Sequence, residues 1–190
     1  MTDIRNTSDP DADMVKGVAG GDEKAFEQLV KKYEHSVLNT IYRYVGDRVE
    51  AEDIAQEVFL RVWRQARNFK GESRFSTWLY RIVVNQCLSD RRKYKETLQP
   101  LDATIEKEDG SETPEAEVER RKGAEIVRKA VDELPSRQRI ALILSKFEGK
   151  SYKEVAQIMG VSLSTVESLI FRARSSLKKK LLPLKRKGDI

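Results

Sequence analysis

"SYKEVAQIMGVSLSTVESL", residues 151–169, decides the fold of the C-terminal half of this chain. Ser151 with Glu154 three residues on is a capping box, in which hydroxyl and carboxylate each satisfy a backbone N–H of the first helical turn. Val155, Met159, Val161, Val166 and Leu169 recur where two short helices must bury side chains against each other. Ala156 is small enough to let those helices cross closely. Gly160 stands at the turn, where a left-handed backbone is easiest without a Cβ. Ser162 can cap the second helix. The spacing predicts a helix-turn-helix, whose second helix enters the DNA major groove by its N-terminal end. Ser164, Thr165, Glu167 and Ser168 are the outward residues at that end, and Arg172, Arg174 and Lys178 to Lys180 follow as phosphate contacts. A helical hairpin that binds no DNA could share the pattern, but the adjoining basic run favours DNA. Glu167 is the anomaly. It either accepts from a cytosine N4 amine, or it is a carboxylate in the first turns of the helix, favoured by the helix dipole, that orients a neighbouring arginine.

Charge along the chain is uneven. The 190 residues carry a net +5 and a pI near 9.2. Residues 61–95 hold ten Arg or Lys against two acids, and residues 172–187 hold eight and none. Between them, residues 101–119 hold eight acids against Lys107 alone. Basic segments of this kind are a footprint for nucleic acid, although solvated helix surface is the alternative for either one taken singly. One cysteine, Cys87, and one histidine, His35, allow no intrachain disulfide and speak against a Cys/His zinc site. Neither a glycine-rich phosphate loop nor a metal-ligand cluster is present to support an enzyme, so no cofactor is expected. With no apolar run of membrane-spanning length and an acidic start unlike a signal peptide, a cytoplasmic location is expected.

Helical periodicity organises the remainder. Asp22 can cap a helix carrying Phe26, Leu29, Val30, Tyr33, Val37, Ile41 and Val45, and Gly46-Asp47 breaks it. A second helix is predicted from about Glu50 to Ala66 and a third from about Ser76 to Tyr94, with the loop "NFKGESRFS" between them. Residues 96–117, with Pro100, Gly110, Pro114 and the acidic run, lack periodicity and read as a linker. A helix through Ile126, Val127, Ala130, Val131 and Leu134 follows, then one from Pro135 to Gly149, then the two short helices of the motif. The expected fold is all-α: a disordered stretch over 1–13, a helical domain over 14–95, a flexible acidic linker, a helix-turn-helix domain over 118–184 and a tail over 185–190.

Two surfaces of the first domain carry function-like patterns. Trp78, Arg81, Asn85, Ser89 and Arg92 share one face of the third helix, opposite Leu79, Ile82, Val83 and Cys87. An aromatic plane, an amide and arginines suit nucleic acid, because bases stack on aromatics and amides read base edges. The alternative is a Trp partly buried against its own domain. On the second helix, Ile54, Val58, Phe59, Val62 and Trp63 form an apolar arc, and Asp53, Gln56, Glu57 and Leu60 fall on the other side. A leucine ringed by acid and amide suits docking onto a basic protein surface.

"AEDIAQEVFLRVW", "FKGESRFSTWLYRIVVNQCLSDRRK" and "LPSRQRIALILSKFEGKSYKEVAQIMGVSLSTVESLIFRAR" together resemble the extracytoplasmic-function sigma factors of bacterial RNA polymerase, over about residues 14–95 and 118–182. The resemblance implies that Asp53, Gln56, Glu57 and Leu60 dock onto the clamp helices of the polymerase's largest subunit. It implies that the stretch from Ser73 to Arg92 opens and reads the minus-ten element, through Ser73, Arg74, Thr77, Trp78, Arg81, Asn85 and Arg92, with Asn85 near a flipped-out base. It further implies that the last domain reads the minus-thirty-five element through Ser164, Thr165, Glu167, Ser168, Arg172 and Arg174. The acidic linker would thread toward the RNA exit path. The implied partners are core RNA polymerase, promoter DNA and an anti-sigma factor. Family members often carry Arg or Lys where Glu167 and Leu169 stand, which puts direct readout by Glu167 in doubt. A stand-alone helix-turn-helix regulator is the competing function, but it would leave the "DIAQEVFLRVW" helix unexplained.

Overall fold

The computed structural model describes the backbone of residues 9–94 and 114–187 and the side chains of 9–89 and 122–185. Among the described residues every regular element is helical. Helix α1 (Ala12–Gly20) leads into α2 (Glu23–Val45), where Asp22 accepts from the Lys24 and Ala25 backbone N–H groups at 2.9 and 3.2 Å. Gly46 ends α2 with φ +86°, a left-handed conformation that favours glycine. Asp47 then accepts from the Glu50 N–H at 2.8 Å and starts α3 (Arg48–Gln65). A 3-10 turn (Ala66–Asn68) and a loop precede α4 (Phe75–Tyr94). The second unit is α5 (Pro114–Asp132), α6 (Ser136–Lys146), α7 (Tyr152–Met159) and α8 (Leu163–Lys187).

The predicted core faces are inside: Leu29, Val37 and Ile41 of α2, Ile54, Val58 and Val62 of α3, and Leu79, Val83 and Cys87 of α4. Three expectations change. Disorder through residue 13 fails at 9–13, because α1 begins at Ala12 and Asp11 is buried between Lys32 and Tyr33. The linker ends at residue 113 rather than 117, since Pro114 opens α5, the first helical position that tolerates a missing N–H. The rest of the linker lies outside the described residues. The last helix is a single long one, reaching Lys187 through Pro183 into what was read as the tail.

The two helical units pack on each other through one continuous apolar cluster that joins Ile41, Tyr80 and Val84 to Ile140, Leu144, Val155 and Ile158. Polar contacts fix the seam. The Tyr80 hydroxyl donates to Glu148 at 2.6 Å, and Lys150 lies over the Tyr80 ring at 4.9 Å. Burial first, then the hydrogen bond to Glu148, pushes the Tyr80 phenol up to about 12. Arg43 lies over the Phe147 ring at 4.3 Å. Two arginines of the second unit close the C-terminal end of α2: buried Arg139 donates to the Tyr44 carbonyl, and Arg128 donates to the Gly46 carbonyl at 3.3 Å. The last carbonyls of a helix lack intrahelical donors and carry partial negative charge, so guanidinium groups complement both. Asp132 pairs with Arg139 at 3.0 Å from within the second unit.

Candidate nucleic-acid interface

The helix-turn-helix forms as its local chemistry requires. Ser151 Oγ accepts from the Glu154 N–H at 3.3 Å, and Glu154 accepts from the Ser151 N–H at 2.8 Å. The Ser151 hydroxyl, donating to the carboxylate at 2.7 Å, holds Glu154 below the usual carboxylate range. Gly160 takes φ +63°, and α7 and α8 meet at 105°. Ser162 caps α8 by accepting from the Thr165 N–H at 3.2 Å. Val155 and Val166 are fully buried in the seam, with Met159, Val161 and Leu169 partly buried beside them.

Ser164, Thr165, Glu167, Ser168, Arg172 and Arg174 are all exposed, as the outward-facing positions require. The Ser162 hydroxyl lies 3.0 Å from that of Ser164 and 2.8 Å from that of Thr165, so both are held in a local network. Glu167 is exposed, one helical turn before Phe171. Sequence reading missed Phe171. It is 72% exposed and stands seven residues after Ser164 and four after Glu167, on the same face. The signal was present: Val166, Ile170 and Ala173, with Leu169 partly buried beside them, form the inward stripe, and Phe171 falls off it.

On α4 the structure separates the predicted stripe. Arg81, Asn85 and Ser89 are exposed, Ser73 is half-buried and Arg74 exposed. Thr77, expected to contact DNA, is instead buried, because it lies three residues before Tyr80 and seven before Val84, on the same buried face of α4. Trp78 is half-buried, with its ring 5.5 Å from Phe69 and 5.8 Å from Phe75. One side of the indole thus belongs to an aromatic cluster and the other meets solvent. Arg81 donates from Nε to the Gln157 carbonyl of α7 at 2.8 Å. The Arg92 side chain lies outside the described residues.

Asp53, Gln56, Glu57 and Leu60 are all exposed on one face of α3, and Leu60 is 44% exposed. Leu60 and Gln56 also border a groove of about 690 Å³ between α2 and α3, lined by Phe26, Val30, Leu38 and Phe59. His35 is exposed, its Nδ1 3.0 Å from the Asn39 amide, and Cys87 is buried in the core. Among the described residues no group of His, Cys, Asp and Glu could hold a metal ion.

Two packed helical units, one carrying a helix-turn-helix and the other a basic aromatic helix, define a helix-turn-helix DNA-binding protein. Residues 29–97 match the Sigma-70 region 2 family and residues 124–177 the Sigma-70 region 4 family. The chain is 38% identical to the RNA polymerase sigma-H factor of Pseudomonas aeruginosa, covering 96% of this chain and 99% of that protein. It is 35% identical to the ECF RNA polymerase sigma-E factor of Escherichia coli, over 92% of this chain and 95% of the relative. CnrH, solved with the cytosolic domain of CnrY, superposes with a TM-score of 0.68 at 23% identity, over 90% of this chain and 96% of that one. The sigma factor RpoE of Bartonella quintana, solved with the anti-sigma factor NepR, gives 0.66 at 24% identity, over 83% and 97%. The chain belongs to the extracytoplasmic-function sigma factors.

Proposed function

We propose that this sigma factor uses the exposed α3 face to dock on core RNA polymerase, α4 to open and read the minus-ten element, and α8 to read the minus-thirty-five element. The observation that carries the reading is the coexistence of two DNA-competent helices with a separate acidic docking face. On α3, Asp53 and Glu57 share an exposed face with Leu60, so a basic, partly apolar helix pair fits them. On α4, Arg81 and Asn85 project from one face beside the exposed side of Trp78. On α8, Glu167, Ser168, Phe171 and Arg172 form a mixed polar and aromatic surface at the groove-entering end.

A stand-alone regulator needs only the last of these and leaves α3 unexplained. The protein acts by binding and positioning rather than by catalysis, works beside the polymerase in the cytoplasm, and has an anti-sigma factor as a further partner. No single described helix is long and apolar enough to cross a membrane. The 96–113 segment is assigned the linker role toward the RNA exit path. Transcript start-site mapping in a strain expressing the protein, followed by reconstitution with core polymerase on the recovered promoters, tests the reading. Promoter-specific initiation that requires core polymerase is expected. Tight sequence-specific binding by the protein alone, with no effect of polymerase, would overturn it.

A further inference from the structure

We propose that the N-terminal segment, residues 9–20, is a clamp that sets the position of the promoter-opening loop, with Asp9 as its positioning residue; this rests on the promoter-opening reading of α4. The first N–H groups of a helix need acceptors from outside it, and Ser, Thr, Asp or Asn at the N-cap normally supplies one. Residue 74, immediately before α4, is an arginine, whose side chain only donates. The missing acceptor comes from 66 residues upstream: Asp9 Oδ2 accepts from the Phe75 N–H at 2.6 Å. Its other oxygen accepts from the Asp11 N–H at 3.2 Å.

Asp11 fastens this cap to the body of the protein. It is 1% exposed, and its carboxylate receives the Lys32 ammonium on one oxygen and the Tyr33 hydroxyl, at 2.5 Å, on the other. A buried carboxylate with both a cation and a hydroxyl on it is held in one orientation. The opposite end of the loop is tied to the same segment. Arg67, in the 3-10 turn, donates from Nε to the Ala19 carbonyl in α1 at 3.0 Å. Residues 69–74, which include Ser73 and Arg74, are therefore held at both ends by one N-terminal element. The clamp also reaches Trp78: the Tyr33 ring meets Phe75 edge-on at 5.5 Å, and Phe75 packs on both Phe69 and Trp78.

The test compares Asp9→Ala and Asp9→Asn in the full chain. Asn ranks with Asp as a cap, because its amide oxygen accepts the same N–H, whereas Ala removes the acceptor. In the free protein, amide hydrogen exchange at Phe75 should become about fivefold faster in Asp9→Ala and stay near wild type in Asp9→Asn, since losing a cap is typically a change of that size. With core polymerase on a promoter recovered by start-site mapping, Asp9→Ala should open duplex template about fivefold more slowly. It should open a pre-melted template normally and bind polymerase normally, and Asp9→Asn should rescue it. Unchanged Phe75 exchange overturns the proposal, as does unchanged duplex opening. Parallel loss on both templates together with weaker polymerase binding also overturns it, by making Asp9 a residue of the fold alone. If wild type opens no promoter while Phe75 exchange responds to Asp9→Ala, the clamp stands and the promoter-opening reading is what fails.

Discussion

Arg81 of α4 donates to the backbone carbonyl of Gln157 in α7 at 2.8 Å, so a residue assigned to the minus-ten strand is held by the helix-turn-helix unit. Tyr80 beside it donates to Glu148 of the same unit. In this arrangement part of the α4 face is engaged by protein, and under the proposed reading DNA would compete for it. Tyr80→Phe removes the polar contact and keeps the ring. We expect the full chain to lose about 1.5 kcal/mol in a urea titration, the value of a hydrogen bond to a charged group. Small-angle scattering should show a larger fraction of extended molecules. The contact is fully present below the ordinary tyrosine value near 10. It is lost as pH rises through about 12, so Tyr80→Phe and wild type should converge in that window. A compact Tyr80→Phe protein of unchanged stability would contradict this.

Asp53, Gln56 and Glu57 are exposed and lie outside the core, so replacing all three by Ala should leave the circular dichroism spectrum and melting temperature unchanged. Exposed ion pairs are worth up to about 1 kcal/mol each, so polymerase affinity should fall roughly tenfold. The deficit should shrink at high salt, where such pairs are screened. A fluorescence titration at two ionic strengths measures both effects.

The capping box gives a pH-dependent prediction. Ser151→Ala should destabilise the helix-turn-helix by about 1 kcal/mol at neutral pH, the usual value of an N-cap. Glu154 is held low by the Ser151 hydroxyl, so its contribution is present above the unfolded glutamate value and is lost as pH falls through its lowered folded one. Melting curves of wild type and Ser151→Ala should therefore approach each other below about pH 4.

Trp78 and Asn85 should separate cleanly. Asn85 is exposed, so Asn85→Ala should change stability by no more than about 0.5 kcal/mol while relaxing base preference at one minus-ten position. Trp78 is half-buried against Phe69 and Phe75, so Trp78→Ala should cost about 2–3 kcal/mol, below the range for a fully buried aromatic. It should also slow strand opening, and a pre-melted template should restore activity. Thermal unfolding with permanganate footprinting reads both; no rescue would make Trp78 purely structural.

Glu167→Gln keeps the shape of an exposed side chain and removes its charge. If the carboxylate accepts from a cytosine amine, discrimination at one minus-thirty-five position should drop by about 1–3 kcal/mol. Uniformly tighter binding to every sequence would instead mean that the charge only repels phosphates. Competition binding across a set of single-base variants decides between them.

Much of this molecule was legible in the sequence because the devices are local. The Ser151–Glu154 box, the Gly160 turn and the Ser162 cap each act within three or four residues, and Asp22 starts its helix the same way, whereas Asp47, read only as a break, caps α3. The exposed α3 face follows from helical period alone, since Ile54, Val58 and Val62 had to be inside. What only the tertiary structure decided rests on partners far apart in the chain. Asp9 caps α4 across 66 residues, Tyr80 meets Glu148 across 68, Arg81 meets Gln157 across 76 and Arg139 meets Tyr44 across 95. Periodicity can say that a helix has two faces, but burying Tyr80 and Val84 takes a second unit on α4. An acceptor for a helix terminus can come from any carboxylate that packing brings near, and an N-terminal Asp in a polar stretch bears no local mark of that use.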